Sequence, residues 1–161
     1  MLLMMKIKLL CIGKTNFKFA EEGMELYQSR IRHFADIELV FVPDIKNTKN
    51  MPVDEIKKKE AVFLLKNIGT GDFICLLDEN GNAMGSEGFA DFLQKKTAQN
   101  IKQLTFVVGG AYGFSPELYE RADFKLSLSK MTFSHQIIRL FFLEQLYRAF
   151  TIIKGLPYHN Q

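Results

Sequence analysis

Short β-forming runs alternate with longer amphipathic segments along the whole chain, and this alternation limits the fold more than any other property of the sequence. The runs are rich in apolar and β-branched residues, whereas the segments between them repeat apolar residues at helical spacing. The five runs are Lys6 to Ile12, Ile37 to Val42, Phe73 to Leu77, Leu104 to Val108 and Phe124 to Leu128. Strands that alternate with helices form βαβ units, which predicts an α/β fold with a mostly parallel sheet and helices on both faces.

Capping and turn residues indicate where the helices begin and end. The predicted helices lie in Asn16 to Phe34, after the polar loop Asp44 to Met51, from Ser86 to Lys96, from Ser115 to about Asp123 and from Ser134 to about Lys154. Serine opens each of the last three helices as the expected N-cap, and Gly155 ends the last one. The stretch Glu79 to Asn82 predicts a turn between the third strand and its helix.

The composition describes one folded domain. The 161 residues are 47% hydrophobic and 24% charged, which suits a buried core and excludes a disordered or fibrous chain. The most apolar stretch, Ile137 to Leu146, contains Arg139 and Glu144, so we expect no membrane span. We therefore expect a single domain over residues 1–161, with a flexible tail over 156–161.

The N-terminus and the cysteines favour a cytoplasmic protein. The first residues lack a basic leader, so we expect no signal peptide, and the repeated methionines leave Met4 and Met5 open as the natural start. Cys11 and Cys75 each lie in an apolar run without CxxC spacing, and we expect buried free thiols in a reducing compartment. No metal site is predicted.

Positive charge is concentrated at the C-terminal end. Residues 125–161 hold five basic side chains against Glu144 alone, a net charge of +4, whereas the first 124 residues carry −1. A polyanionic partner fits this distribution, which on its own is a modest signal.

The last predicted helix is apolar on more than one face. A helix that covers one side of a sheet needs an apolar stripe only about 100° wide. Each exposed large side chain would forfeit about 1.5–3 kcal/mol of burial, so we favour a homodimer interface over a very deep core helix. The apolar residues are Ile137, Ile138, Leu140, Phe141, Phe142, Leu143, Leu146, Tyr147, Phe150, Ile152 and Ile153.

Two loops of small and polar residues are expected at one edge of the sheet. Gly109 to Gly113 follows the fourth run and Ser127 to His135 follows the fifth, so both emerge where parallel strands end and ligands bind. Their backbone groups would meet a ligand's polar edge, and Leu128, Met131 and Phe133 would sandwich an apolar ring. This arrangement suits an adenine better than a phosphate.

The turn after the first run is rejected as a phosphate loop. Gly13-Lys14-Thr15 resembles the end of a P-loop, but Lys8 stands where the upstream glycine belongs. A flavodoxin-like carrier is disfavoured because this turn offers no phosphate loop. For the glycine-rich turn after the fourth run, a purely structural strand-to-helix turn stays open.

Four polar side chains near the C-terminus have several possible roles. For His135 we favour helix capping or contact with a neighbouring loop. His159 stands beside Tyr158 in a short tail, where a frayed end is the simplest alternative to function. Arg139 and Arg148 project from the apolar helix, and can pair with the acidic residue between them, cover apolar surface or bind phosphate.

Four motifs, in their order and spacing, carry a resemblance to a known family. They are Val107 to Ser115 with its glycines, Leu126 to His135, Glu144 to Ala149 and Pro157 to His159. From Met5 onward the chain resembles the SPOUT-superfamily methyltransferases that modify a pseudouridine of large-subunit ribosomal RNA. Ser134 stands where this family usually has proline, and Asn160 where it usually has a basic residue.

The resemblance implies a trefoil knot in the C-terminal part of the fold, an obligate homodimer and S-adenosylmethionine bound at the knot. It also implies transfer of the cofactor's methyl group to N3 of a pseudouridine in 23S rRNA, with the assembled ribosome as a partner. The implied cofactor-binding residues are Leu77, Gly109, Leu128, Ser129, Lys130, Met131, Thr132 and Phe133.

The catalytic residues implied by the resemblance are His159, Tyr158 and Arg148. His159, held by Tyr158 and reaching over the partner's cofactor site, would position the base or relay the N3 proton. Arg148 would stabilise negative charge on the uracil oxygens or bind phosphate. The alternative from another class is a non-catalytic α/β module that binds a nucleotide or RNA.

Overall fold

The computed structural model describes residues 5–160, and the predicted alternation of strands and helices is confirmed throughout them. Met4, one of the two candidate starts, and Gln161 at the end of the tail lie outside the described residues. The elements are β1 (Lys6–Ile12), α1 (Lys18–Ile31), β2 (Asp36–Val42), α2 (Val53–Lys66), β3 (Phe73–Ala83), α3 (Ser86–Ala98), β4 (Gln103–Val108), α4 (Pro116–Arg121), β5 (Phe124–Ser127), α5 (Ile137–Ile153) and a 3-10 helix (Pro157–Asn160).

The strands of this part of the chain form a five-stranded sheet in the order β2-β1-β4-β3-β5, and every pair is parallel. β1 pairs with both β2 and β4, so Lys6 lies opposite Asp36 on one side and Gln103 on the other. Because all strands point the same way, the loops after β3, β4 and β5 leave the sheet at one edge. This edge positions the candidate site.

Each face of the sheet is covered by its own hydrophobic cluster. On one face, Met24, Phe89 and Phe142 of α1, α3 and α5 pack in the larger cluster. On the other face, Leu64 and Leu118 of α2 and α4 pack in the smaller one. Alternate residues of the central strands contribute to opposite clusters, as the strand period of two requires.

The two cysteines are buried free thiols, as predicted. Burial raises the pKa of Cys11 to about 12 and also raises the pKa of Cys75. Both therefore act as small apolar core residues rather than as nucleophiles. Within residues 5–160, no helix combines the length and the apolar character that a membrane crossing requires.

The predicted turn at Glu79 to Asn82 is wrong, because the structure continues β3 through it to Ala83. The strand is irregular there: Leu77 and Asn82 both pair with Leu126 of β5, and the intervening residues form a bulge. The amide Nδ2 of Asn82 also donates to the carbonyl of Lys125 at 3.1 Å. Polar residues typical of a turn are accommodated at the exposed end of the strand.

Ser86 and Ser134 do not act as the expected N-caps. Gly85 precedes α3, while the Ser86 hydroxyl donates to Gln145 of α5 at 3.2 Å. Gln136 is the N-cap of α5, and Ser134 instead accepts the Gln136 N–H at 3.1 Å in the preceding loop. Ser115 does precede the short helix α4, whose first residue is proline, as predicted.

Helix α5 buries much of its apolar circumference in the core. Phe142, Leu143 and Leu146 are fully buried within the chain. Phe141, by contrast, is 42% exposed and contacts Phe133 edge-on at 5.1 Å. The helix ends as predicted before Gly155, whose φ of +67° belongs to the left-handed region that favours glycine.

Arg139 is fully buried, which rules out all three surface roles considered for it. Its guanidinium donates to the carbonyls of Ile12 and Gly13 at the end of β1 and to the Thr15 hydroxyl at 3.1 Å. Its Nε donates to the carbonyl of His135 at 3.0 Å. A buried charge with its hydrogen bonds satisfied thus ties the first strand to the start of the last helix.

Candidate active site

A cavity of about 440 Å³ lies at the carboxyl edge of the sheet, and we call it the edge cavity. The ends of β3 and β4, the turn after β4 and the loop before α5 form its walls. This volume falls in the range of small-molecule sites. Its lining residues are Lys57, Leu77, Asp78, Glu79, Asn80, Val108, Gly109, Gly110, Ala111, Tyr112, Gly113, Phe114, Tyr119, Leu126, Leu128, Ser129, Met131, Thr132, Phe133, His135 and Ile138.

The structure brings most of the expected cofactor-binding residues together in this cavity. Those that line it are Leu77, Gly109, Leu128, Ser129, Met131, Thr132 and Phe133. Lys130 belongs to the same loop, but it is not among the described residues that line the cavity.

The turn after β4 is shaped by its glycines. Gly110 and Gly113 form a short antiparallel bridge in which the Gly113 N–H donates to the Gly110 carbonyl at 3.2 Å. Gly113 has a φ of +83°, which an L side chain rarely adopts. A Cβ atom at Gly109 would lie 3.0 Å from the Phe114 ring and 3.3 Å from the Gly113 carbonyl. There is therefore little room for a side chain at Gly109.

The loop after β5 is held by its own serines. The Ser127 hydroxyl donates to the Ser129 carbonyl at 2.9 Å, and the Ser129 hydroxyl accepts the Met131 N–H at 3.0 Å. Met131 itself is 77% exposed. The loop thus presents backbone groups and apolar side chains together, a combination suited to the edge and faces of a heterocycle.

Sequence reasoning missed two polar residues of the cavity, Asp78 and Tyr119. The Tyr119 hydroxyl donates to the Asp78 carboxylate at 2.5 Å. Burial, followed by this hydrogen bond and the nearby negative charges, raises the pKa of Tyr119 to about 12. Asp78 could have been found as the first acidic residue after an apolar strand, at the edge where ligands bind.

His135 lines the same cavity, a position that the sequence analysis did not predict, since it favoured helix capping or a loop contact for this residue. Burial and then the Arg139 charge lower its pKa, while Asp44 opposes this effect. These effects favour the neutral imidazole, in which one ring nitrogen donates and the other accepts a hydrogen bond.

The C-terminal residues form a second polar group, the tail cluster, which consists of Tyr27, Glu144, Tyr147, Arg148, Tyr158 and His159. Tyr158 donates to Glu144 at 3.0 Å and lies 3.2 Å from the Tyr27 hydroxyl. Arg148 pairs with Glu144 at 2.6 Å and lies over the Tyr158 ring at 4.8 Å, and Tyr147 contacts that ring edge-on. The segment expected to be a flexible tail thus docks on α5 through the short 3-10 helix.

Two observations describe the chemistry of this cluster. Burial and the hydrogen bonds to Tyr27 and Glu144 raise the pKa of Tyr158, so its hydroxyl stays protonated and can donate. His159 has Nε2 4.0 Å from a Glu87 oxygen, whereas its buried Nδ1 has no hydrogen-bond partner among the described residues. An unpaired buried ring nitrogen is costly unless a ligand completes it.

The two sites are separate within one chain. Ile138 at the start of α5 lines the edge cavity, whereas Arg148 lies ten residues further along the same helix, or about 15 Å at 1.5 Å per residue. Among residues 5–160, no member of the tail cluster lines the cavity. The three expected catalytic residues therefore lie together, but apart from the expected cofactor residues.

The fold and the edge cavity define a class: parallel α/β proteins that bind a small ligand with loop backbone at the carboxyl edge of the sheet. A family model described as "Predicted SPOUT methyltransferase" matches residues 5–159, and the chain belongs to this family. The family predicted from the four motifs is thereby confirmed.

Two curated relatives match over their full length. The ribosomal RNA large subunit methyltransferase H of Christiangramia forsetii is 52% identical over 157 residues, which are 98% of this chain and 100% of that protein. The protein of the same name from Flavobacterium johnsoniae is 48% identical with the same coverage.

Solved structures support the fold. A probable methyltransferase from Bordetella pertussis Tohama I matches with a TM-score of 0.55 at 9% identity, over 91% of this chain and 97% of that chain. A probable methylase family protein from Haemophilus influenzae Rd KW20 matches with a TM-score of 0.51 at 12% identity, over 94% and 67% of the two chains.

Proposed function

We propose that this protein transfers the methyl group of S-adenosylmethionine to N3 of a pseudouridine in 23S rRNA. The main support is full-length similarity to relatives named ribosomal RNA large subunit methyltransferase H, combined with a cavity built from the residues expected to bind the cofactor. An RNA substrate implies that the protein acts in the cytoplasm on the ribosome.

The edge cavity fits the cofactor by the chemistry of its lining. Leu77, Leu128 and Phe133 offer apolar surface for the adenine ring, while the backbone of Gly109 and of the Ser129–Thr132 segment offers donors and acceptors for its polar edge. When bound, S-adenosylmethionine supplies an electrophilic methyl group. The protein must hold the N3 nitrogen of the substrate in line with that methyl, at about 3–3.5 Å.

The tail cluster supplies groups for the proton and the developing charge. N3 must lose its proton as its bond to the methyl carbon forms, and His159, whose side chain is 33% exposed, is a candidate to accept that proton or to position the group that does. Tyr158 holds the adjoining backbone against Glu144. Arg148 stabilises negative charge on the uracil oxygens or binds a phosphate.

A homodimer joins the two sites. Because the tail cluster does not line the cavity of its own chain, it must reach the cavity of a partner to act on a bound substrate. Phe133, Met131 and Phe141 form an exposed apolar group beside the cavity, which suits a protein interface. Sedimentation should find a dimer at micromolar concentration, and a monomer for Phe141→Asp.

We also propose the trefoil knot and a ribosomal substrate. The segment 128–136 starts at β5, the outermost strand, and leads to Arg139, which lies beside the end of β1. Since β3 and β4 lie between these two strands, the segment crosses their ends, and this crossing supports a knot. A net charge of +4 over residues 125–161 is small for tight binding of a bare hairpin at physiological salt, so recognition requires the shaped ribosomal surface.

Transfer of a labelled methyl group tests the function directly. The protein is incubated with labelled S-adenosylmethionine and either ribosomes or free 23S rRNA, and the nucleosides are analysed. We expect label on N3 of a pseudouridine with ribosomes and much less with free rRNA. Cofactor binding without any transfer to either substrate would instead support a non-catalytic binding module.

A further inference from the structure

A buried carboxylate lies against the glycine turn of the edge cavity. Glu60 on α2 is only 7% exposed, whereas Asp54 and Glu55 on the same helix face solvent. The backbone N–H of Gly110 faces the Glu60 carboxylate and favours its ionised form. A Cβ atom at position 110 would overlap this carboxylate, so the glycine leaves the space that Glu60 fills.

The position of Glu60 is unfavourable for an ionised group. Burial, followed by the charge of Asp44, raises its pKa to about 7, and the Gly110 N–H only partly opposes this shift. A neutral residue of similar shape would avoid the desolvation penalty. Ionisable groups in clefts whose pKa values are strongly shifted by burial are found preferentially at functional sites.

We propose that Glu60 is a positioning residue for the cofactor: by holding the Gly110 N–H it fixes the turn Gly109–Gly113 in its binding shape, and its ionised form holds the turn more firmly than its protonated form. This inference rests on the proposed function, since it takes S-adenosylmethionine as the ligand of the edge cavity. A charged acceptor makes a stronger hydrogen bond than a neutral one. Ionised Glu60 therefore interacts more strongly with the turn than protonated Glu60 does.

The charged groups around Glu60 restrict which residues can explain a pH effect. Asp44 faces Glu60 from the loop between β2 and α2, and it also faces His135 and Arg139. Lys57 lies on the same helix and lines the cavity. On the neighbouring α4, Glu117 faces Lys58. His135 is therefore the competing titratable group to control.

Stability and binding should respond to Glu60 in opposite directions. Its pKa is raised from 4.5 to about 7 by folding, so the native state binds more protons between these values and the free energy of unfolding falls as pH rises through that window. Above pH 7 this loss is complete. Glu60→Gln should consequently raise the melting temperature at pH 8, whereas a merely structural hydrogen-bonding role predicts a lower one.

The test measures S-adenosylmethionine affinity by calorimetry from pH 6 to pH 8, with melting temperatures of the free proteins. We expect wild-type affinity to rise with pH around a midpoint near 7, and Glu60→Gln to bind about tenfold more weakly at pH 8 without that pH dependence. The control Glu55→Gln changes an exposed acid on the same helix and should match wild type. A Glu60→Gln protein with wild-type affinity and pH profile would overturn the inference.

Further variants separate the alternatives. His135→Asn should keep the pH dependence, and its loss there would assign the effect to His135 and refute the role of Glu60. Asp44→Asn in the His135→Asn background removes a negative charge that raises the pKa of Glu60, so the midpoint of the affinity's pH dependence should move below pH 7. An unchanged midpoint counts against the inference even if Glu60→Gln does not fold. Wild-type protein that binds no S-adenosylmethionine at any pH would refute the proposed function rather than this assignment alone.

Discussion

The edge cavity is formed by loop backbone and apolar side chains, whereas the tail cluster is formed by polar side chains that bind one another. The cavity walls follow from where parallel strands end, and they include glycines such as Gly109. The tail cluster is centred on one acceptor, Glu144, whose carboxylate accepts hydrogen bonds from both Arg148 and Tyr158. The proposed cofactor binding thus depends on the path of the backbone, whereas the proposed chemistry depends on side chains attached to the last helix. Variants can therefore affect one without the other.

Removing the tail gives the strongest separation of the two sites. Deletion of residues 157–161 should lower methyl transfer to ribosomes by about 10⁴-fold, because it removes His159, the proposed proton acceptor, together with Tyr158. Calorimetry should find the S-adenosylmethionine affinity unchanged. The exposed Asn160 provides a control, since Asn160→Ala should retain most activity. Full methylation by the truncated protein would contradict the tail hypothesis.

Arg139→Met should weaken both sites together, since Arg139 links the end of β1 to the start of the helix that carries the tail. The carbonyls of Ile12 and Gly13 would lose a buried charged donor, and we expect the free energy of unfolding to fall by about 3–5 kcal/mol. Urea denaturation measures this change. The exposed Arg32→Met should change stability by less than about 0.5 kcal/mol. Similar values for the two variants would show that the buried arginine is dispensable.

Gly109→Leu should impair only the cavity. Its Cβ would already contact the Phe114 ring, and the larger side chain would extend into space that the cofactor needs, so we expect at least about tenfold weaker S-adenosylmethionine binding. Gly71→Leu is the matched control, because no atom lies within 4 Å of a Cβ there. Unchanged calorimetric affinity in a folded Gly109→Leu protein would place the ligand elsewhere.

Tyr27→Phe should produce the smallest change and affect only the tail. It removes one hydroxyl contact to Tyr158 but keeps the Glu144 bond, so tail docking should weaken by about 0.5–1 kcal/mol. Hydrogen exchange of the backbone amides of residues 158–160 should accelerate a few-fold. Ser29→Ala on the same helix removes a hydroxyl that bonds only within α1, and it should leave this exchange unaltered. Equal exchange in all three proteins would mean that the Tyr27 hydroxyl does not help to hold the tail.

The sequence predicted those features that depend on local pattern. Apolar runs located all five strands, and the glycine and serine loops predicted the edge where Gly109 and Leu128 now line a cavity. The prediction failed where distant partners decide. The polar residues after Leu77 resemble a turn, yet pairing with β5 extends the strand. Arg139 is buried against the carbonyls of Ile12 and Gly13, which lie more than a hundred residues earlier in the chain.

The same distance explains why Glu60 escaped sequence analysis. It follows three lysines on an amphipathic helix and looks like one more solvated charge. Its burial depends on Gly110, which is fifty residues later and leaves the space for it. The family resemblance identified the tail residues, but their separation from the cavity in one chain required the structure.

The contacts of Arg139 have a consequence for how the chain folds during synthesis. The hydrogen bonds from this side chain to Ile12 and Gly13 close loops of 127 and 126 residues. In addition, the second edge of β1 can be paired only after β4 has been synthesised. Long loops carry a large entropic cost of closure, and topologies dominated by distant contacts fold slowly. The nascent chain therefore cannot complete its core until α5 has left the ribosomal exit tunnel.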